Sequence, residues 1–106
     1  MGKFGQSKKG KAPVTVLKTI TAKGTQERLS AADLWVKQAT IQALASNVGN
    51  AIVGGSNADV ATGLGTILAP LNSITLQMVN LKEWWGDAEN GEGFAITYEP
   101  VLTVSS

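Results

Sequence analysis

Apolar and polar residues alternate along most of the chain, which is the period expected of strands with one buried face. On 35–43, for example, Trp35, Lys37, Ala39, Ile41 and Ala43 share one side of the predicted strand. The strand-like segments, bounded by turn residues, are 14–22, 35–43, 51–53, 67–70, 74–78, 82–88, 94–98 and 101–104. Seven to eight short strands predict an all-β, single-domain β-sandwich or jelly roll.

Turn residues separate these strands. Glu89–Gly93 contains Asn90-Gly91, a pair that favours the tight turns of β-hairpins, so we expect a hairpin between 82–88 and 94–98. Residues 25–33 are polar and predict a loop, in which Ser30 could cap one helical turn. Residues 54–66 are rich in glycine and predict a long loop, with a weaker helical alternative over 58–64.

The first thirteen residues differ in composition from the rest. They contain glycines, a proline, the aromatic Phe4 and four lysines, Lys3, Lys8, Lys9 and Lys11. We interpret 1–13 as a flexible basic N-terminal arm and 14–106 as the β-sandwich domain, because the arm has too little apolar surface to offset its ordering entropy. Two interpretations are open: a merely disordered terminus, or an arm that folds on a partner with Phe4 as its anchor.

Charge divides the chain in the same place. The arm has four bases and no acid, whereas the remainder has five bases against eight acids, for a net charge of +1 over 106 residues. A basic arm on an acidic body could dock between copies or on an acidic partner. Four phosphate contacts would give weak, salt-sensitive binding, so we do not expect nucleic acid as the partner.

The residue types of common active sites are scarce. The chain has no histidine and no cysteine, so it lacks the commonest general base and the commonest metal ligand. Asp87, Glu89 and Glu92 cluster around the predicted hairpin turn, where solvated acids are a simpler interpretation than glycosidase carboxylates or a calcium site. We therefore expect no catalytic residues, no metal and no cofactor, and do not expect an enzyme.

The tryptophans are more informative. Trp84 and Trp85 are adjacent on a predicted strand and must point to opposite faces. Trp84, Gly86 and Ala88 form the inward set, which leaves Trp85 and Asp87 outward. An outward tryptophan is a candidate interface anchor. The alternative is that 54–66 of the same chain covers Trp85.

An ordered set of short motifs resembles small structural proteins of phage particles. The set covers roughly 36–99 and comprises 40–43 (TIQA), 46–50 (SNVGN), 52–54 (IVG), 68–70 (LAP), 73–76 (SITL), 80–81 (NL), 87–88 (DA), 91–93 (GEG) and 98–99 (YE). The chain departs from the pattern at Trp84-Trp85-Gly86 and in its basic arm. The resemblance implies a β-rich, non-enzymatic protein that is often trimeric.

The expected function follows from this resemblance. We expect a capsid decoration (cement) protein at the head surface of the virion, which binds the major capsid protein or another virion protein and stabilises the assembled shell. The alternative is a tail or fibre module that recognises a host surface through 54–66 and the acidic turn. The candidate interface residues are Phe4, Lys8, Lys9, Lys11, Trp85 and Asp87. The apolar runs are far shorter than the roughly 20 residues of a spanning helix, so we expect no membrane partner.

Overall fold

The chain forms eight antiparallel strands in a computed structural model that describes residues 13–101. The strands β1 to β8 are Val14–Thr19, Glu27–Arg28, Trp35–Ala43, Ala51–Gly54, Thr66–Leu68, Ser73–Asn80, Trp85–Asp87 and Gly93–Pro100. One short helix, α1 (Asn57–Ala61), follows β4, and one 3-10 turn, Leu81–Glu83, follows β6. The predicted all-β fold is confirmed.

The strands form two four-stranded sheets. The long-stranded sheet has the order β1-β8-β3-β6 and the short-stranded sheet the order β2-β7-β4-β5. The first strand therefore pairs with the eighth, the second with the seventh, the third with the sixth and the fourth with the fifth. This is the pairing of one long hairpin rolled into two layers, so the sandwich is a jelly roll.

The core lies between the two sheets. Phe94 and Ile96 of β8, in one sheet, and Val53 of β4, in the other, are fully buried. The other members of the buried apolar cluster are Ile20, Leu29, Val36, Ala39, Ile41, Ala43, Ala51, Leu68, Leu81 and Ala88. Strands from both layers contribute, because each sheet buries one apolar face.

The prediction of a β-hairpin at 89–93 is wrong. The turn forms with Gly91 at φ 80°, but β7 lies in the short-stranded sheet and β8 in the long-stranded one. The segment therefore crosses between layers, and its Gly91 N–H donates to the Ile20 carbonyl, 2.8 Å away, beyond the end of β1. An Asn-Gly pair favours a tight turn, but the choice of strand partner is made by the packing of the two sheets.

An irregularity in β3 reverses the expected orientation of Trp35. The pairing of β3 with β8 shifts by one residue between Val36 and Gln38, and Met78 on the neighbouring β6 has a positive φ of 54°. A bulge of this kind changes which side chains face inward. Val36 is fully buried and Trp35 is 56% exposed, so the prediction that Trp35 and Lys37 share the side of Ala39 is wrong.

Four other segments differ from expectation. The polar segment 25–33 contains β2, and 54–66 contains α1, the weaker of the two predicted alternatives. The predicted strand 82–88 begins as the 3-10 turn, so only 85–87 are strand. Val101 is not in a strand but donates its N–H to the Trp35 carbonyl at 3.2 Å, and the rest of the predicted strand 101–104 lies outside the described residues.

A buried asparagine joins the β3–β4 connection to β8. Asn47 is 6% exposed; its Nδ2 donates to the Gly93 carbonyl at 2.9 Å, and its Oδ1 accepts from the Gly93 N–H at 3.1 Å. The Gly93 carbonyl also accepts from the Leu44 N–H. Gly93 is buried so closely against β1 that a Cβ on it would overlap the Lys18 carbonyl oxygen. Glycine is therefore required here for a close approach of two backbones.

An ion pair joins the edge strands of the two sheets. Lys18 Nζ of β1 donates to Glu27 Oε1 of β2 at 2.8 Å, and Glu27 Oε2 accepts from the Thr21 N–H at 2.8 Å. The pKa of Glu27 lies below its ordinary value, mainly because of the hydrogen bond from Lys18 and secondly because of the hydrogen bond from Thr21. The pair closes one side of the sandwich, where β1 and β2 belong to different layers.

We predict that Gly93→Ala lowers the free energy of unfolding by more than about 3 kcal/mol, the upper end for overpacking, because the new methyl group meets backbone that cannot rotate away. The matched control is Gly55→Ala, since a Cβ at Gly55 has nothing within 4 Å. The control should change stability by less than about 0.5 kcal/mol. Urea unfolding measures both, and equal stabilities for the two variants would contradict the close approach.

We predict that acid weakens the wild-type protein more than a Glu27→Gln variant. Because the folded-state pKa of Glu27 is lowered, its stabilising contribution is present above the unfolded-state pKa of about 4.3 and is lost as the pH falls through the folded value. Urea unfolding at pH 7 and at acidic pH gives the difference. A variant with the same acid sensitivity as the wild type would show that other carboxylates account for it.

Candidate functional site

The outer face of the short-stranded sheet carries the most distinctive side chains of the described surface. Direct strand pairs share a face, and the pairs Arg28–Trp85, Ile52–Asp87 and Ile52–Ile67 place these residues together. Gly86, between Trp85 and Asp87, is buried on the opposite side. We call the five residues Arg28, Ile52, Ile67, Trp85 and Asp87 the Trp85 face.

Arg28 holds Trp85 in a fixed environment. The guanidinium carbon lies 4.5 Å from the centre of the Trp85 ring, within the range of a cation–π contact. Arg28 Nη1 also donates to the Lys82 carbonyl at 2.6 Å. Two attachments therefore orient the arginine, and the tryptophan beneath it is half-buried. A stacked pair of this type is already ordered before any partner arrives, which lowers the entropy cost of binding.

One border of the Trp85 face is covered by α1. Gly54 pairs directly with Trp85, and a Cβ on Gly54 would lie 3.0 Å from Val60 Cγ2 of the helix. The missing side chain lets α1 pack against β4 and β7, with Val60 4% exposed. The segment 54–66 thus lies beside Trp85, while Arg28 lies over the ring and Trp85 stays partly accessible.

The other border of the Trp85 face is open and apolar. Ile67 on the edge strand β5 is 58% exposed, and Leu64, in the connection from α1, is 77% exposed. Ile52, between Ile67 and Asp87, is half-buried. The face therefore combines an aromatic ring, a fixed cation and accessible aliphatic side chains, a combination common at the centre of protein interfaces.

A polar pocket of about 220 Å³ adjoins this face at Asp87. Lys23, Asn50, Ile52, Asp87, Ala88 and Glu89 line it. Lys23 Nζ donates to Glu89 Oε2 at 2.7 Å, and this hydrogen bond, with the charge of Glu89, raises the pKa of Lys23 above its ordinary value. The pocket is open to solvent and contains charges that already pair with each other.

The acidic side chains at this end have structural partners. Asp87 accepts from the Gly24 N–H at 3.0 Å through Oδ2, and Glu92 accepts from the Val48 N–H at 2.7 Å and the Gly49 N–H at 3.2 Å. These carboxylates fasten loops, a role that differs from the solvated turn acids expected from the sequence. Among residues 13–101, no group of three or more acids is arranged to hold a metal ion.

The candidate interface residues separate into two groups. Trp85 and Asp87 lie together on the Trp85 face, on the side opposite the buried Gly86 and Ala88. Phe4, Lys8, Lys9 and Lys11 lie outside the described residues, as does all of the predicted arm except Pro13. Trp84 is half-buried and packs against the core, although it follows the 3-10 turn and is not part of a strand.

Three members of the Trp85 face, Arg28, Ile52 and Ile67, were not among the candidate interface residues predicted from the sequence. Arg28 lies in a segment that was predicted to be a loop, and its neighbour Trp85 is far away in the sequence. Ile67 was predicted to lie in a short strand, with no prediction of which face of the sheet it occupies. A single arginine among polar residues does not indicate that its side chain will stack on a tryptophan. A strand that is soon followed by a proline, as Ile67 is by Pro70, is typical of a sheet edge.

The outer face of the long-stranded sheet has a different character. Thr15, Thr97, Thr40 and Thr75 align in one row across all four strands. Thr15 and Thr97 hydroxyls lie 3.0 Å apart, and those of Thr40 and Thr75 lie 3.2 Å apart. Cross-strand threonine pairs stabilise a sheet locally, so this row has a structural explanation.

Comparisons with known proteins found no family model, no curated protein and no solved structure that matches the chain. No helix within residues 13–101 is both long enough and apolar enough to cross a bilayer.

We predict that Trp84→Ala and Trp85→Ala differ in their cost to stability. Trp84 packs against the core, so the loss of its side chain should cost about 3 kcal/mol or more. Trp85 lies outside the core, and its loss should cost less than half as much. Urea unfolding of the two variants checks this, and the reverse order would mean that Trp85 supports the fold.

Proposed function

We propose that this chain is a capsid decoration protein of a phage, which attaches to the outside of the assembled head through the Trp85 face and bridges capsid subunits. The attachment is adhesive and involves no bond-making chemistry. Binding to the assembled shell but not to its separated subunits stabilises the shell by mass action. The partner is the major capsid protein or another protein of the virion surface.

The observation that carries the proposal is the fixed Arg28–Trp85 pair beside the exposed Ile67. Arginine and tryptophan are the residues most enriched among those that dominate binding energy. Here they lie on paired strands of the short-stranded sheet, with the guanidinium carbon 4.5 Å from the ring centre. A partner surface can therefore bury a large aromatic and aliphatic area without first ordering it.

Two further observations support a virion partner. The motif series across 36–99 resembles small phage structural proteins, and the jelly roll is a fold used in viral capsid domains, although it is also used by lectins and cupins. Fold likeness alone does not fix function, so the side chains of the Trp85 face and the motif series carry more weight.

We predict that the purified protein binds bare capsids and raises their melting temperature. Trp85→Ala should weaken binding by about 30-fold or more, the effect of losing a central interface residue. The matched control is Trp35→Ala, since Trp35 is 56% exposed and belongs to the long-stranded sheet. Co-sedimentation and calorimetry of capsids measure both effects.

Two results would contradict this function. Wild-type protein that neither binds capsids nor changes their melting temperature excludes the decoration role. Equal losses from Trp85→Ala and Trp35→Ala exclude the Trp85 face as the attachment surface.

The alternative is a tail or fibre module that recognises a host surface. The observation in its favour is Leu64, 77% exposed in the 54–66 segment next to the Trp85 face. Binding to host cells that is lost when 61–65 is shortened, together with no binding to capsids, would favour this alternative.

A further inference from the structure

The free edge of β1 differs from the other three sheet edges. β2 has two residues, β5 has three and is soon followed by Pro70, and β6 is interrupted by Met78 at φ 54°. Short length, proline and bulges are the usual devices that prevent one edge from pairing with another chain. β1 runs regularly over six residues opposite β8, with no bulge, and its neighbouring proline, Pro13, precedes the strand without interrupting it.

The hydrogen-bond pattern shows which residues of β1 present free backbone groups. Ile20, directly after β1, donates its N–H to the Glu92 carbonyl at 2.8 Å and accepts from the Gly91 N–H at 2.8 Å. Even-numbered residues of β1 therefore direct their peptide groups toward β8, because these directions alternate along an antiparallel strand. The residues left with N–H and C=O groups at the outer edge are Thr15, Leu17 and Thr19.

The partner of Thr19 on β8 agrees with this assignment. Gly93 lies opposite Thr19 but directs its N–H and C=O away from β1, to the side chain of Asn47. No other strand within residues 13–101 lies beside the outer edge of β1.

The side chains of β1 are unusually apolar for an exposed edge. Leu17 is 66% exposed and Val16 is 40% exposed, so both faces of the strand present aliphatic surface. The single charge, Lys18, is already neutralised at 2.8 Å by Glu27. An inward lysine ordinarily deters edge pairing, but a lysine bound to its own chain's carboxylate offers little repulsion.

We infer that β1 is the site at which two copies of this chain join, by antiparallel pairing of β1 with β1 of the second copy, with Leu17 on the two-fold axis. In this register Leu17 faces Leu17, and Thr15 faces Thr19 in each direction. Each of these pairs exchanges N–H and C=O groups that have no backbone partner within residues 13–101 of the single chain. The two long-stranded sheets become one continuous sheet.

Symmetry and side-chain chemistry favour a second copy over an unrelated strand. A two-fold interface uses the same surface twice, and the self-pairing register matches leucine with leucine and threonine with threonine. On the inner face, Val16 lies opposite Lys18 of the other copy, so no two lysines are directly opposed.

Charge complementarity adds to this register. Pro13, where the segment with four lysines joins the domain, lies opposite Thr21 of the second copy. The segment after Thr21 contacts acidic side chains, because the Gly24 N–H donates to Asp87 and Lys23 donates to Glu89. In this register Pro13 of one copy lies on the side of the other copy that carries Asp87 and Glu89, and pairing should weaken as salt screens the charges.

The test introduces a charge at position 17, on the two-fold axis, and measures association by sedimentation velocity over a concentration series. Wild-type protein should form a species of twice the 11.0 kDa chain mass. Leu17→Lys and Leu17→Glu should each raise the dissociation constant at least about tenfold, because like charges then face each other. An equimolar mixture of the two variants should dimerise again, since position 17 meets position 17.

The matched control is Gln77→Lys, on the exposed edge of β6, which should leave dimerisation unchanged. Thermal unfolding of each variant checks that the domain stays folded. The chain has no cysteine, so Leu17→Cys adds a single thiol, which should form a disulfide across the axis. Gln77→Cys should not.

Three results would overturn the inference: wild-type protein that is monomeric at its highest soluble concentration, a trimer as the smallest assembly, or Leu17 variants whose mixture stays monomeric. The resemblance to phage proteins implies a trimer, so the native mass decides between that trimer and the proposed dimer. The inference goes beyond the proposed function, and capsid binding by the Trp85 face can succeed or fail independently of it.

Discussion

The fold depends on the close contact of three backbone segments at Gly93. β8 lies between β1 and β3, and at its first residue the carbonyl of Lys18 occupies the space that any side chain would need. Asn47 supplies, from the β3–β4 connection, the amide that pairs with both polar groups of Gly93. Without Asn47 the buried Gly93 N–H would have no partner, at a cost of about 1–3 kcal/mol, whereas the Gly93 carbonyl would keep its hydrogen bond from the Leu44 N–H.

This junction fixes which surfaces are left for function. With β8 held between β1 and β3, the long-stranded sheet ends in β1 at one edge. The short-stranded sheet packs on it through Phe94, and the outward side of that sheet presents Trp85 under Arg28. The Trp85 face and the β1 edge belong to different layers, so a protein that uses both can bind its partner and a second copy at the same time.

Several strands and turns could be predicted from the sequence because their signals are local. Alternation in β6 and β8, and the run of apolar residues in β4, indicate strands regardless of partners. The orientation of Trp35 could not, because it depends on a bulge that exists only when β3 pairs with β8. Likewise β2 has two residues, and only its pairing with β7 makes it a strand.

The sequence by itself determined the fold class, the inward orientation of Gly86 and Ala88 next to Trp85, and the division of charge between the first thirteen residues and the rest. It could do so because periodicity and composition are properties of neighbours along the chain. Only the tertiary structure decided that Asn90-Gly91 crosses between sheets, that Arg28 stacks on Trp85, and that no strand of residues 13–101 covers the outer edge of β1. These are contacts between residues far apart in sequence. Local sequence patterns do not specify which distant strand a segment will pair with, because closing the connecting loop costs entropy that depends on the whole chain path.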